Sequence, residues 1–472
     1  MRSPDAHARP ADPGRRARLA VTALSLGTAL NPLNSSMIAV ALLALQHDFG
    51  LDIVQVSWGI TVFYIASVVG QPLMGRVVDA FGARRTFVAG MIVVLVAAVV
   101  APIGGSFLLV CVSRGLMAIG TSVAFPAAVA LVGPLGATAG TGTVRLLGRI
   151  QITNTAGAAL GPVVGGLLVT FAGWQAVFLV NLPLAVLSGV GVAILAPRDA
   201  PRTGLTTRAV LRLLDPPGVI AFAIAAIALL LAVLDPAALA AIAGSGSAWW
   251  LTGIGVAALA LFVWREWRAA IPFIDVRMLL RSRTLGMVYL AFTVFNATYY
   301  LAFFGVPQLL ESRGEYSSAV TGLLLLPLAA STVALAPYVA RVIDRRGVAP
   351  VLVAGAVMLV GAAVVLVLGA FTTAPVWMLV MSAAMGVPYC AVSLALTQAL
   401  QRSAPREALG VASGLLQSTR YIGAISATVV LGRVLAGGIT PAGWVTLTVV
   451  AAVLASVHLV VVLVGVRVSA SR

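Results

Sequence analysis

The chain has 472 residues, of which 61% are hydrophobic and only 9% charged, whereas a soluble domain carries about a quarter charged residues; no aqueous fold hides that much apolar surface, so its solvent is lipid. The formal charge of +16 comes from 30 basic and 14 acidic residues, but the bases lie in the breaks between apolar runs, which points to membrane orientation and away from nucleic acid. Every base is an arginine, and without a lysine to reach nucleotide phosphates a complete Walker A site is excluded, and with it ATP-driven work by this polypeptide.

Residues 1–19 form a polar, Arg-rich tail, and the apolar run behind it is too long for a signal-peptide core, so an uncleaved first span is expected. Runs long enough to cross a bilayer, about 20 residues each, follow in chain order. The first seven cover 20–45, 54–74, 86–102, 108–131, 150–171, 175–195 and 219–234. The second seven cover 249–263, 285–309, 319–340, 351–368, 375–400, 409–435 and 443–466. Alternation from a cytoplasmic N-terminus leaves every arginine inside except Arg313 and Arg433, outside, and Arg114 and Arg420, within spans. That lopsidedness is what the positive-inside rule demands of fourteen spans in a plasma (inner) membrane with both termini cytoplasmic. Cys111 and Cys390 fall inside apolar runs and read as small buried residues without a disulfide.

Arg-Val-Val-Asp-Ala-Phe-Gly at 76–82, after span two, recurs as Arg-Val-Ile-Asp-Arg-Arg-Gly at 341–347, after span ten. Two related halves follow: six-helix bundles at 20–195 and 285–466, with cytoplasmic linkers and two inserted spans at 196–284 and a cytoplasmic tail at 467–472. Parallel repeats of this kind place a cavity between the halves, reached by rocking one half against the other. Gly75 removes a side chain where two spans must approach. Asp79, with Gly82, Arg84 and Arg85, either joins an ion-pair cluster or faces a helix N-terminus; Asp344, Arg345 and Arg346 are its counterparts. Such a cluster, made in one state and broken in the other, is a gate; the plainer alternative is a marker of inside topology.

The stretch "SWGITVFYIASVVGQPLMGRVVDAFGARR" resembles the signature loop of the major facilitator superfamily. Arg114-Gly-Leu-Met-Ala-Ile-Gly120 is similar to its R-x-L-Q-G-x-G, departing at Met117 and Ala118. Gly157-Ala-Ala-Leu-Gly161-Pro162-Val-Val-Gly165-Gly166 resembles the antiporter motif of its drug-exporting members. "GWQAVFLVNLPLAV", the inserted pair and "REWRAAIPFIDVRMLLRSRT" resemble the fourteen-span drug:proton antiporter branch. The resemblance implies an all-α membrane protein with the major facilitator fold, two six-helix bundles and two extra central helices, exporting a small organic compound or drug by alternating access against a proton influx. An importer or uniporter without proton coupling is the alternative the same fold allows. A membrane-embedded enzyme lacks support, since neither H-E-x-x-H nor G-x-S-x-G occurs; a receptor or scaffold has no need of the loop signature.

Gly157, Gly161 and Gly165 share one helical face, which suits tight helix packing as well as it suits a special antiporter role; Pro162 adds a bend. Arg114 and Arg420, charged at membrane depth, are functional candidates by default. No acid falls in the middle of a span, and where the family's span-one aspartate would stand the chain has Asn34. Coupling candidates are therefore Arg114, Asn34 and His458, each with a packing reading beside it. Two arginines without an acid make a positive central field, expected to favour neutral or anionic compounds over lipophilic cations. Expected cavity walls are Asn31, Gln71, Gln151, Asn154, Asn296, Tyr299, Tyr300, Tyr389, Gln398 and Gln417, with Arg420; each could equally glue helices together. The expected partners are a small molecule, protons and the bilayer, with no cofactor, metal or nucleic acid, and the chain is expected to act as a monomer.

Overall fold

The computed structural model describes residues 13–51, 53–199, 214–234, 247–269, 272–277, 282–313, 316, 318–405, 408–435 and 439–470. Residues 1–12 and 471–472 of the predicted tails at 1–19 and 467–472, much of the 196–284 linker, and the acids Asp52, Asp235 and Glu315 lie outside the described residues.

The described residues are almost wholly helical because long apolar runs in lipid must satisfy their backbone groups within the segment. The first half comprises α1 (Pro13–Phe49), α2 (Ile53–Phe81), α3 (Ala83–Ile103), α4 (Phe107–Ser122), α5 (Ala124–Ala139), α6 (Thr143–Ala172), α7 (Gln175–Leu179) and α8 (Asn181–Leu195). Then come α9 (Pro216–Leu234) and α10 (Ser247–Arg268), the inserted pair. The second half comprises α11 (Arg283–Arg313), α12 (Ser318–Arg346), α13 (Val348–Val365), α14 (Leu368–Phe371), α15 (Pro375–Ser403), α16 (Leu409–Val434) and α17 (Pro441–Ala470). Each of the fourteen apolar runs falls on one of these helices or on a helix broken in two, α4–α5, α7–α8 or α13–α14. Among the described residues, nine segments are long and apolar enough to cross a membrane, ten with the bent α6.

The punctuation of the chain explains the turns. Gly82 at φ +98° and Gly347 at φ +85° stand in matching positions of the repeat. Both values lie in the left-handed region that favours glycine, and each residue is the N-cap of the helix behind it, α3 or α13. Ser106 caps α4 by accepting from the Leu109 amide, 3.4 Å away.

In the first half α1 packs along α5, α6 and α8, and α3 lies between α4 and α8. In the second, α11 packs on α16 and α17, α15 on α12 and α13. The halves meet along two seams, α2 with α16 and α6 with α12. The inserted pair lies over the first seam: Phe222, Phe262, Phe273 and Ile274 cluster with Leu73 and Val411. Leu230 and Ala226 pack with Tyr64, Val68 and Tyr421. Gly157, Gly161 and Gly165 face α1 at Ala29, Ser36 and Met37, the tight-packing alternative. The side chain of Pro162 lies outside the described residues.

Candidate functional site

The repeat brings its two aspartates to one end of the molecule, each reaching across to the other half. Asp79, in the last turn of α2, accepts from the amides of Gly410 (2.7 Å) and Val411 (2.8 Å) at the start of α16. A carboxylate there satisfies orphan donors and complements the helix dipole. A Cβ on Gly75 would run into the Gly410 carbonyl, and one on Gly410 into the Gly75 carbonyl and Asp79; the two backbones touch because neither residue has a side chain. Asp344, in the last turn of α12, forms an ion pair with Arg145 of α6 at 3.8 Å.

The arginines after Asp79 serve a different partner. The amides of Arg84 and Arg85 donate to Asp199, at 3.1 and 2.9 Å, and the Arg84 guanidinium donates to the Ala193 carbonyl. Asp199 thus caps α3 as Asp79 caps α16. No sequence signal marks it, because it lies 114 residues or more from both amides.

A second cluster holds the inserted pair. Asp215, at φ +51°, forms an ion pair with Arg265 at 2.5 Å and accepts from the Phe273 amide at 3.1 Å. Glu266, fully buried, accepts from Arg265 at 3.0 Å and from the Ile274 amide at 3.1 Å. Burial, then the hydrogen bond to Asp215 and its charge, push the Glu266 carboxyl up to about 7. Burial also opposes ionisation of Asp215, but Arg265 outweighs it and holds that carboxyl below its usual range. Glu266 was visible in the segment after span eight, yet its pairing with Asp215, across both inserted helices, was not.

Further inside lies a layer of buried polar side chains. Asn34 and Asn181 exchange amide hydrogen bonds of 2.6 and 3.0 Å. Arg114 donates to the carbonyls of Gly59 (3.0 Å) and Asn34 (3.1 Å) and lies 4.2 Å over the Phe63 ring, while its Nη2 makes no hydrogen bond among the described residues. Asn31 donates to Thr121 at 2.9 Å and accepts from the Tyr421 hydroxyl, joining the halves. Gln151 donates to the Tyr389 hydroxyl at 3.3 Å, joining them again. Arg420 donates to the Tyr300 hydroxyl at 3.0 Å.

Around Arg420 stands an aromatic wall: Tyr299 lies 4.3 Å from Tyr389 and 5.4 Å from Tyr300, between ring centroids, and Phe295, Phe303 and Phe304 extend it. The buried Gln71, Asn154, Asn296 and Gln398 each keep a carbonyl oxygen without a hydrogen bond among the described residues; Gln417 is buried too. His458 is set apart. It is fully buried, with Nδ1 3.0 Å from the Ala291 carbonyl and its ring 5.8 Å from Phe295, inside the second half. Tyr64, 3.1 Å from Ser35, Tyr421 and Asn181 belong to this layer, though sequence alone marked none of them as site residues. Among the described residues no group of three potential ligands could hold a metal ion.

A model of the Major Facilitator Superfamily matches residues 24–428. The uncharacterized MFS-type transporter YwoD of Bacillus subtilis is 34% identical over 89% of this chain and 91% of its own length. The tetracenomycin C resistance and export protein of Streptomyces glaucescens is 28% identical over 89% of this chain and 77% of its length. Among solved structures, the human organic anion transporter MFSD10 (TETRAN) superposes with a TM-score of 0.65 at 17% identity, covering 94% of this chain and 99% of that one.

Proposed function

As the chain belongs to the Major Facilitator Superfamily and is a multi-pass membrane transporter, we propose that it exports a small organic compound by alternating access, with the Asp79–Asp344 end and both termini cytoplasmic. The observation that carries this reading is the Asp79 carboxylate bonded across the seam to the start of α16, beside the Gly75–Gly410 backbone contact. These contacts hold the halves together at one end, and a transporter that rocks must make and break them once per cycle. The resemblance to relatives named for resistance and export supports the outward direction.

The cargo we propose is flat, aromatic and neutral or acidic. Tyrosine and phenylalanine rings offer stacking surfaces, Arg420 supplies a positive charge, and the unpaired amide oxygens accept from hydroxyl or amide donors. Coupling to proton influx is the expected energy source. Asn34 gives it no carboxylate, and Arg114 commits its Nε and Nη1 to helix carbonyls, which favours an uncoupled uniporter as the second reading.

Internal pH and labelled-compound flux in proteoliposomes, screened with cationic, neutral and acidic aromatics, decide between them. Proton release on adding an acidic or neutral aromatic supports the antiporter. Flux without proton movement supports the uniporter. Tight binding of quaternary ammonium compounds alone would eliminate the proposed cargo class.

A further inference from the structure

The seam between α6 and α12 carries a feature that export does not use. Near the Asp344 end a cleft of about 420 Å³ opens between the two helices, lined by Arg145, Arg149 and Arg341, with Thr141, Ile152 and Pro337 among its walls. Arg145 and Arg149 are one turn apart on α6, and Arg341 faces them from α12. Of the three, among the described residues, Arg145 alone has a partner in charge, Asp344 at 3.8 Å. Arg149 and Arg341 make no ion pair and no side-chain hydrogen bond among the described residues. Three guanidiniums against one carboxylate leave the cleft strongly positive.

The flanks of the cleft name its occupant. On α6 the face that bears Arg145 and Arg149 continues into exposed Leu160, Val163 and Leu167. On α12 the face that bears Arg341 continues into exposed Tyr338 and Val333. In a membrane such faces meet acyl chains, so the arginines stand where those chains join their headgroups. A phosphate diester fits the forked guanidinium donors, and the excess positive charge disfavours a headgroup carrying its own ammonium.

We propose that this cleft binds the headgroup of an anionic phospholipid, and that the bound lipid, held by α6 and α12 together, clamps the two halves at this end. The binding stands on the cleft alone; the clamp rests on the alternating-access reading.

The test uses the full chain in native mass spectrometry with phosphatidylglycerol or phosphatidylcholine, beside thermal unfolding in the same lipids. Wild-type protein should retain phosphatidylglycerol at least about tenfold better than phosphatidylcholine, in keeping with charge-assisted phosphate binding. R149Q/R341Q should lose that preference, R149K should keep most of it, and R402Q, outside the cleft, should keep all of it. Equal retention of both lipids by wild type, or undiminished preference in R149Q/R341Q, overturns the site. Equal stabilisation by inorganic phosphate or glycerol 3-phosphate overturns the lipid as occupant. For the clamp, spin labels at Thr138 and Arg345 in a chain without Cys111 and Cys390 should show a shorter, narrower distance distribution in phosphatidylglycerol than in phosphatidylcholine; an unchanged distribution with lipid bound overturns the clamp. A failed export reading would show instead as absent flux with lipid binding intact.

Discussion

The two seams begin from the same seven-residue pattern and end up unequal. At the α2–α16 seam, Asp79 accepts two short bonds from helix-terminal amides beside a glycine backbone contact. The inserted pair packs over this seam with its own buried carboxylate cluster. At the α6–α12 seam, Asp344 has a 3.8 Å ion pair with an arginine whose side chain is 58% exposed. A sequence repeat conserves the residue type, but the partner and its solvation set the strength of the contact. Two charge-assisted bonds to amides are worth several times a solvated ion pair, so on the proposed alternating-access reading, opening this end depends chiefly on the Asp79 seam.

The most severe way to break that seam is Gly75→Val. Its branched side chain would occupy the space of the Gly410 carbonyl, and overpacking costs about 1–3 kcal/mol, more where backbone is hit; vesicle flux should fall about a hundredfold while the chain still inserts. Asp79→Asn comes next. It leaves one acceptor oxygen and no charge, and losing a charged hydrogen bond costs about 1.5–3 kcal/mol. Flux should drop about tenfold to a hundredfold, and cysteine labelling near Gly410 should rise.

The carboxylate cluster of the inserted pair, Asp215 and Glu266 with Arg265, gives a smaller, pH-dependent effect. Glu266 has its carboxyl raised from the ordinary 4.5 to about 7, so the folded state holds a proton that the unfolded chain releases. Its stabilisation is complete below about 4.5 and is lost as pH rises through about 7. Asp215, held low, loses its contribution only as pH falls below its ordinary 3.8, outside that window. The melting temperature should therefore decline between pH 5 and pH 8, and Glu266→Gln should flatten the decline. Asp344→Asn should have the least effect. An exposed ion pair contributes about 1 kcal/mol or less, and flux should change by no more than about fivefold. A loss as large as that of Asp79→Asn would erase the contrast between the seams.

Much of this was legible in advance for a simple reason: span length, arginine placement and the repeat are properties of local sequence. Gln71, Asn154, Asn296, Tyr299, Tyr300, Tyr389, Gln398 and Arg420 could be marked because polar groups at membrane depth are rare; all are buried among the helices but Tyr300, which is half-buried. His458 met the same criterion and yet lies apart, against Ala291, because rarity does not say which face of a helix points to the other half. Of the two readings left open for Asp79, its bonds to the Gly410 and Val411 amides fit the helix N-terminus.

By itself the sequence determined that the chain lives in lipid, that its halves are related, and which family it joins, since each follows from composition, period or motif. The tertiary structure alone decided the partners. Asp79 meets Gly410 331 residues away, Asn34 meets Asn181 147 residues away, and the inserted helices come to rest on one seam and not the other. The Asp79 pairing depends on how the two halves dock and the Asn34 pairing on how helices pack within one half, and both are set by the summed fit of surfaces that no local pattern encodes.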